Sequence, residues 1–243
     1  MPITWGCRHR HNSLKSRSPQ TVTLYEARSY VERTFGIESE LTGCEVFDMS
    51  KEAKRLAEVK AFNKWPLSNI EVEDISLQRY LSTRAMFVPH SSGRHEHQKF
   101  RKSTVNIVER LVNNMMRHGK AGGKKAKAVS IVRNAFEIIE LKTQKNPVEV
   151  LVKAVQNVAP AEDVTRVAYG GIVYPISVDI APQRRIDLTM RFITDGARQA
   201  AYSNPRTIDE CLADEIVYAA ARDNRSYAVR KRDEMERVAL ASR

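Results

Sequence analysis

Val105, Val108, Leu111, Val112 and Met115 recur at three- and four-residue spacing, which predicts a helix with one buried face that ends at Gly119. A second helix is expected from about Lys124 to Leu141, with Val129, Val132, Phe136 and Ile139 turned inward. A third opens with Asn146 as N-cap, Pro147 at the first helical position and Glu149 in the first turn. It buries Val148, Leu151, Val152 and Val155 and stops at Pro160. The period then changes. From Val164 to Ile180 the residues are β-formers, with Val167 and Tyr169 before Gly170-Gly171, Ile172, Val173 and Tyr174 after it, and Ile176, Val178 and Ile180 alternating with Ser177 and Asp179. Gly-Gly between two such runs predicts a tight hairpin.

Helical spacing resumes after Pro182, where Ile186, Met190 and Ile193 share one side and Arg184, Arg191 and Arg198 repeat every seven residues on another. A fifth helix starts from the capping box Thr207 to Glu210. The last starts near Ser226 and carries Arg230, Lys231 and Arg232 before Met235 and Val238. Upstream, residues 62–89 are irregular, anchored by Trp65, Ile70, Val72, Ile75, Leu77, Tyr80 and Leu81, with a short helix near Leu77 and the look of a wrapping arm. Residues 1–60 have weak periodicity and read as a loosely structured extension, in which Lys51–Lys60 has the pattern of a short polar helix. The expected architecture is mainly α: a bundle-like helical domain with one protruding β-hairpin and an N-terminal extension. Its divisions are 1–60 as the extension, 61–104 as a basic arm, and 105–243 as the helical domain carrying the hairpin at about 164–180.

Charge sharpens this outline. The 243 residues carry a formal charge of +11, yet residues 90–145 alone carry +9. From Arg94 to Lys127 there are ten Lys and Arg against Glu96 and Glu109. One run, Arg94, His95, His97, Lys99, Arg101 and Lys102, precedes the first helix; another, Lys120, Lys124, Lys125 and Lys127, follows it. Cations clustered at the ends of a rigid element suit a polyanion, because phosphate neutralisation requires local density and not merely a high isoelectric point. No apolar run reaches the length of a membrane span, and no basic amphipathic helix with aromatic anchors is evident, so a membrane partner is not expected.

Cys7, Cys44 and Cys211 are odd in number, far apart and in no Cys-x-x-Cys pair, which argues against a disulfide framework and a thiolate zinc site and for an intracellular chain. Arg8, Arg10, Lys15 and Arg17, with serines and no acid over the first 25 residues, form a composition that a mitochondrial presequence would share. A basic, flexible extension is the simpler reading.

Several patterns invite chemistry. Gly119 to Lys125 is glycine- and lysine-rich, but a Walker loop would need glycine at His118 and Ser or Thr at Lys125. A helix N-terminus with flanking lysines, holding a nucleic-acid phosphate, fits better. His9 with His11, and His95 with His97, would each sit on one side of an extended strand, but no thiolate or third ligand lies nearby, so they are read as loop cations. Glu210 and Asp214 form an i, i+4 carboxylate pair of the kind a metal-dependent nuclease uses; a solvated acidic face near the helix start is the plainer account. Tyr169 and Tyr174 flank the hairpin turn, where they can stack on a base, fill a protein groove, or pack across the strand pair. No Ser/His/Asp or Cys/His arrangement stands out.

From about Phe62 to Arg243 these residues resemble the small-subunit ribosomal protein family numbered seven in bacteria and five in eukaryotes, in its eukaryotic and archaeal branch. The segments that carry the resemblance include Lys64-Trp65, Asp74 to Gln78, Pro89 to Arg94, Ile107 to Leu111 with Met115-Met116 and His118-Gly119, and Ala135 to Ile139. Glu162-Asp163 with Thr165-Arg166, Val178-Asp179, Arg184-Arg185, Gly196 to Arg198, Cys211 to Glu215, and Asp233-Glu234 with Glu236 to Ala239 continue it. Residues 1–60 match nothing in the family.

The resemblance implies a structural, non-enzymatic constituent of the small ribosomal subunit. Such a protein binds the 3′ major domain of small-subunit RNA, supports assembly of the head, and contributes to the exit-site tRNA and mRNA region. By position, Arg94, Lys99, Arg101, Lys102, Lys120, Lys124, Lys125, Lys127, Arg166, Arg184, Arg185, Arg230, Lys231 and Arg232 would contact RNA, and Tyr169, Gly170, Gly171 and Tyr174 would form the hairpin tip. Relatives commonly place arginines around that tip, so this chain's tyrosines and Pro175 shift the expectation from phosphate contact toward stacking. Neighbouring head and platform proteins are implied as partners, with no cofactor, no metal and no homo-oligomer. The implied location is the cytoplasmic ribosome, with nucleolar passage during assembly if the source is eukaryotic. A free regulatory RNA-binding protein and a metal-dependent ribonuclease are the alternatives.

Overall fold

Asn106, Asn146, Thr207 and Ser226 each turn a side-chain oxygen back onto an amide of the following first turn, and four helices start at those caps. The computed structural model describes residues 60–67, 70–86, 88–117 and 119–243. The N-terminal extension, with His9, His11 and the polar stretch from Lys51 to Val59, lies outside the described residues. Among the described residues seven α-helices and two antiparallel hairpins follow in the order β1 (Lys60–Ala61), β2 (Trp65–Pro66), α1 (Ile75–Gln78), α2 (Ile107–Met115), α3 (Lys125–Thr143), α4 (Pro147–Val158), β3 (Glu162–Tyr169), β4 (Ile172–Asp179), α5 (Pro182–Ala201), α6 (Ile208–Ala220) and α7 (Tyr227–Ala241). The fold is mainly helical with a β-ribbon, as the periodicity predicts.

Helix α6 is the hub, packing against α3, α4, α5 and α7. Its sequence explains why: Cys211, Leu212, Ala213, Ile216 and Ala219 are buried, so apolar or small residues cover most of its circumference. Phe136 and Ile139 of α3, Leu151 and Val155 of α4, and Ile186, Met190 and Ile193 of α5 are buried in the surrounding core. Each such side chain contributes roughly 1.5–3 kcal/mol relative to exposure.

The segment before α2 divides in two. Trp65, Leu67, Leu77 and Leu81 are buried in the same core, with Trp65 edge-on to Phe136 at 5.7 Å and its indole Nε1 donating to Glu140 at 3.1 Å. Residues 94–97 and 101–104 form 3-10 turns on the outside. His95 and His97 therefore occupy a turn and not the extended strand expected from their spacing, and a 3-10 turn sends residues two apart to different sides.

Two boundaries differ from those expected. Helix α2 ends at Met115 and not at Gly119, because the last turn tightens onto the Asn114 carbonyl, which accepts from Met116 and Arg117. The ribbon starts at Glu162, two residues earlier than the β-formers suggest, because Glu162 pairs with Asp179 and Asp163 with Val178. Gly170 and Gly171 both have positive φ, 57° and 86°, which a two-residue type I′ turn requires. The eight-residue strands put Val167, Tyr169, Ile172, Tyr174 and Ile176 on one face. Among the described residues no helix is long and apolar enough to cross a membrane.

Candidate nucleic-acid interface

Gly93 and Phe100, both at positive φ, open the two turns that display the first cationic run. Arg94, Lys99 and Arg101 are exposed. Among the described residues none of the three has a carboxylate partner. Lys102 instead points at Asp187 of α5, 3.2 Å away, and shares it with Arg110, whose guanidinium is buried, lies 2.9 Å from the same oxygen and also donates to the Tyr80 carbonyl. His95 is held by Ser91 on one ring nitrogen and Glu96 on the other.

The second run lies across α2. Lys120 sits in the turn Gly119–Ala121, and Lys124 is the N-cap position of α3 with no side-chain cap; the Lys125 amide donates to the Gly123 carbonyl at 3.0 Å, and the next amides of the first turn have no capping side chain beside exposed Lys124 and Lys127. Open amides and flanking ammonium groups favour an anion there. A small slot of about 130 Å³, with Met115, Ala128, Ile131 and Ile208 as apolar walls and Lys124, Lys127 and Arg198 at its rim, lies next to this terminus. Arg198 does not fan outward with Arg184 and Arg191; it donates to the Met115 carbonyl.

Lys125 behaves differently from its neighbours. Its ammonium is 2.8 Å from Glu109 Oε1, an oxygen that also accepts from the Ser91 amide at 2.7 Å and the Ser91 hydroxyl at 2.9 Å. Burial pushes the Glu109 carboxyl up, but the hydrogen bonds from Lys125 and Ser91 and the Lys125 charge outweigh it and hold the pKa below the ordinary value.

Of the remaining candidates, Arg166 is exposed on β3 and Arg230 on α7, while Arg184 reaches Asp163 at 3.4 Å from an exposed position. Arg185 donates to the carbonyls of Pro160 and Ala159 and to Ser76, tying the α4–ribbon junction to α1. Lys231 pairs with Glu234 at 2.7 Å; Arg232 pairs with Asp233 and donates to the Asn157 carbonyl. Tyr169 and Tyr174 are 66% and 49% exposed, so neither is consumed by packing across the strands.

Two side chains near the interface were not anticipated. Arg84 lies outside the dense run, but Asn106 donates to its carbonyl at 2.6 Å and brings it beside Arg94 and Arg101. Phe100 is 74% exposed between Lys99 and Arg101, a bulky side chain held at φ 61°, which is a strained setting with a ring free to stack. Its place between two cations was the available signal.

The nuclease pair fares less well. Asp214 is engaged by both Lys142 and Arg206, the latter at 3.1 Å. Among the described residues no group of three or more His, Cys, Asp or Glu side chains is arranged to hold a metal ion.

Comparison with known proteins agrees with this geometry. The profile of the family described as ribosomal protein S7p/S5e matches residues 77–243. A small ribosomal subunit protein uS7 from Methanothermobacter thermautotrophicus is 53% identical over 181 residues, 74% of this chain and 97% of that protein. Its counterpart from Methanosphaera stadtmanae is 55% identical over 183 residues, 75% of this chain and 98% of that protein. Both relatives are archaeal, on the branch that the residues resemble, and the match runs through the helical body and the ribbon alike: the chain belongs to the ribosomal protein S7p/S5e family.

Proposed function

We propose that this chain works as a structural constituent of the small ribosomal subunit that binds the 3′ major domain of its RNA and supports assembly of the head. In this reading the β3–β4 ribbon reaches the exit-site tRNA and mRNA region and neighbouring head and platform proteins, and the chain works at the cytoplasmic ribosome. The family is one of ribosomal proteins and not of enzymes. The observation that carries the proposal is the set of exposed cations, Arg94, Lys99, Arg101, Lys124 and Lys127, left without carboxylate partners among the described residues on either side of a buried helix. Rigid cations in that arrangement supply affinity by counterion release and select an RNA by its shape.

The test separates free cations from paired ones. Replacing Arg94, Lys99, Arg101, Lys124 and Lys127 with Ala should lower the log–log salt slope of binding to a 3′ major-domain RNA fragment by roughly 0.7–0.9 for each phosphate no longer neutralised. Replacing Lys102 and Arg185 should instead lower stability and leave the slope nearly unchanged. Equal effects on the slope from both sets would sink the assignment. Sedimentation of the tagged chain with small subunits distinguishes a resident constituent from a free regulatory RNA-binding protein.

A further inference from the structure

One hollow is built more elaborately than phosphate neutralisation requires. It encloses about 260 Å³ and is lined by Arg84, Arg94 and Arg101, with Met86 and Val105 as apolar wall and Glu109 beneath. Its walls are fixed to the start of α2. The Ile107 amide donates to the Ser82 carbonyl at 3.0 Å, the Asn106 side chain to the Arg84 carbonyl, and Ser91 to Glu109 twice. We propose that this hollow is a binding site for one unpaired RNA nucleotide, its phosphate on Arg84, Arg94 and Arg101 and a hydroxyl or ring donor of the same nucleotide on Glu109 Oε2. The inference rests on the RNA-binding reading above and specifies what this part of the surface takes.

Three arguments carry it. Among the described residues none of the three arginines has a carboxylate partner, while the acid in the hollow, Glu109, is already matched by Lys125. The rim therefore keeps its positive charge, and guanidinium groups bind phosphate oxygens in pairs. The volume lies just below the roughly 300–1,000 Å³ of ordinary ligand clefts, so the space fits one base or ribose and not a duplex. The third argument concerns Glu109. The residue is 1% exposed, and its second oxygen, Oε2, is buried without a hydrogen-bond partner.

An ionised carboxylate only accepts, so whatever satisfies Oε2 must bring a donor. Ionised acidic side chains offer none, and inorganic phosphate, which keeps a P–OH donor at neutral pH, has no flat apolar surface to lie against Val105 and Met86. A nucleotide offers both halves at once, an anion for the rim and a ribose 2′-hydroxyl or a base N–H for the floor, while a base plane can lie against Val105 and Met86.

The experiment uses the full chain and labelled single-stranded pentamers of each base, as RNA and as DNA, read by fluorescence anisotropy. The variant R94A/R101A, altered only at exposed positions, should weaken every RNA pentamer about tenfold. If the 2′-hydroxyl is the donor, the wild type should prefer RNA to DNA about fivefold and E109Q should erase that preference. If a base edge is the donor, the wild type should discriminate among the four bases and E109Q should erase that instead.

Discrimination of either kind that survives E109Q, or pentamer affinity unmoved by R94A/R101A, overturns the proposal. So does equal binding of a phosphopeptide of matched charge. Should E109Q fail to fold through loss of its Lys125 partner, Val105→Phe, which fills the wall, is read in its place and should weaken pentamers about tenfold. Binding of the 3′ major-domain fragment is measured in parallel. Wild-type binding that is retained while pentamers ignore the hollow overturns the hollow alone, whereas no fragment binding by the wild type overturns the broader reading.

Discussion

Gly196 of α5 sits where a side chain has no room: a Cβ there would come within 2.9 Å of Tyr227 Cβ and 3.0 Å of the Glu215 carboxyl. Glu215 cannot swing aside freely, because it is buried and accepts from the Ser226 hydroxyl at 2.7 Å and the Ala228 amide at 2.9 Å, holding the start of α7. Gly196→Ala should therefore destabilise by about 1–2 kcal/mol in urea unfolding, overpacking outweighing the helix propensity gained. An unchanged or raised stability would mean that α5 and α7 separate easily. Glu109 makes a second prediction. Its pKa is held below the ordinary 4.5, so the ionised form stabilises the fold. That contribution is complete above about pH 4.5 and is lost as pH falls through the lower folded value. Asp74, Glu137 and Glu162 are lowered too and add to the wild-type acid loss. Thermal melts of E109Q should thus fall less steeply with acidification than those of the wild type; parallel curves would remove Glu109 from the account.

At the scale of elements, the ribbon and the helical body have different chemistry. The ribbon carries Glu162, Asp163 and Asp179 at its base against Arg166, and its exposed face is aromatic and aliphatic, while the free cations cluster on the body. Eight residues per strand extend roughly 25 Å. Removing Arg166–Pro175 and joining Thr165 to Ile176 through Asn-Gly keeps a closing pair of the same hydrogen-bonding parity as Tyr169 and Ile172. The shortened chain should enter small subunits nearly normally but alter exit-site tRNA retention. Failure to enter them would make the ribbon a primary anchor.

For the whole molecule, residues Leu56–Arg243 form one unit by their contacts, and all the core residues named above lie within it. A chain of residues 56–243 should unfold in a single cooperative transition and bind the RNA fragment with the salt slope of the full chain. A broad, non-cooperative melt would show that the first 55 residues contribute to the core.

Local rules determined the elements of this chain. Apolar spacing placed α2 to α5, the caps at Thr207 and Ser226 placed α6 and α7, Asn146-Pro147 marked the start of α4, and Gly170-Gly171 marked the turn, because each signal is read between residues a few positions apart. Clustering of cations likewise pointed to a polyanion. Which cations stay free is another matter, decided by residues distant in sequence. Arg110 and Lys102 are taken up by Asp187 from α5, Lys125 by Glu109 across the α2–α3 turn, and Arg185 by the carbonyls that end α4, while Arg84 is held beside Arg94 and Arg101 by Asn106. An ion pair needs approach to within about 4 Å, and only the packing of whole helices brings such groups that close.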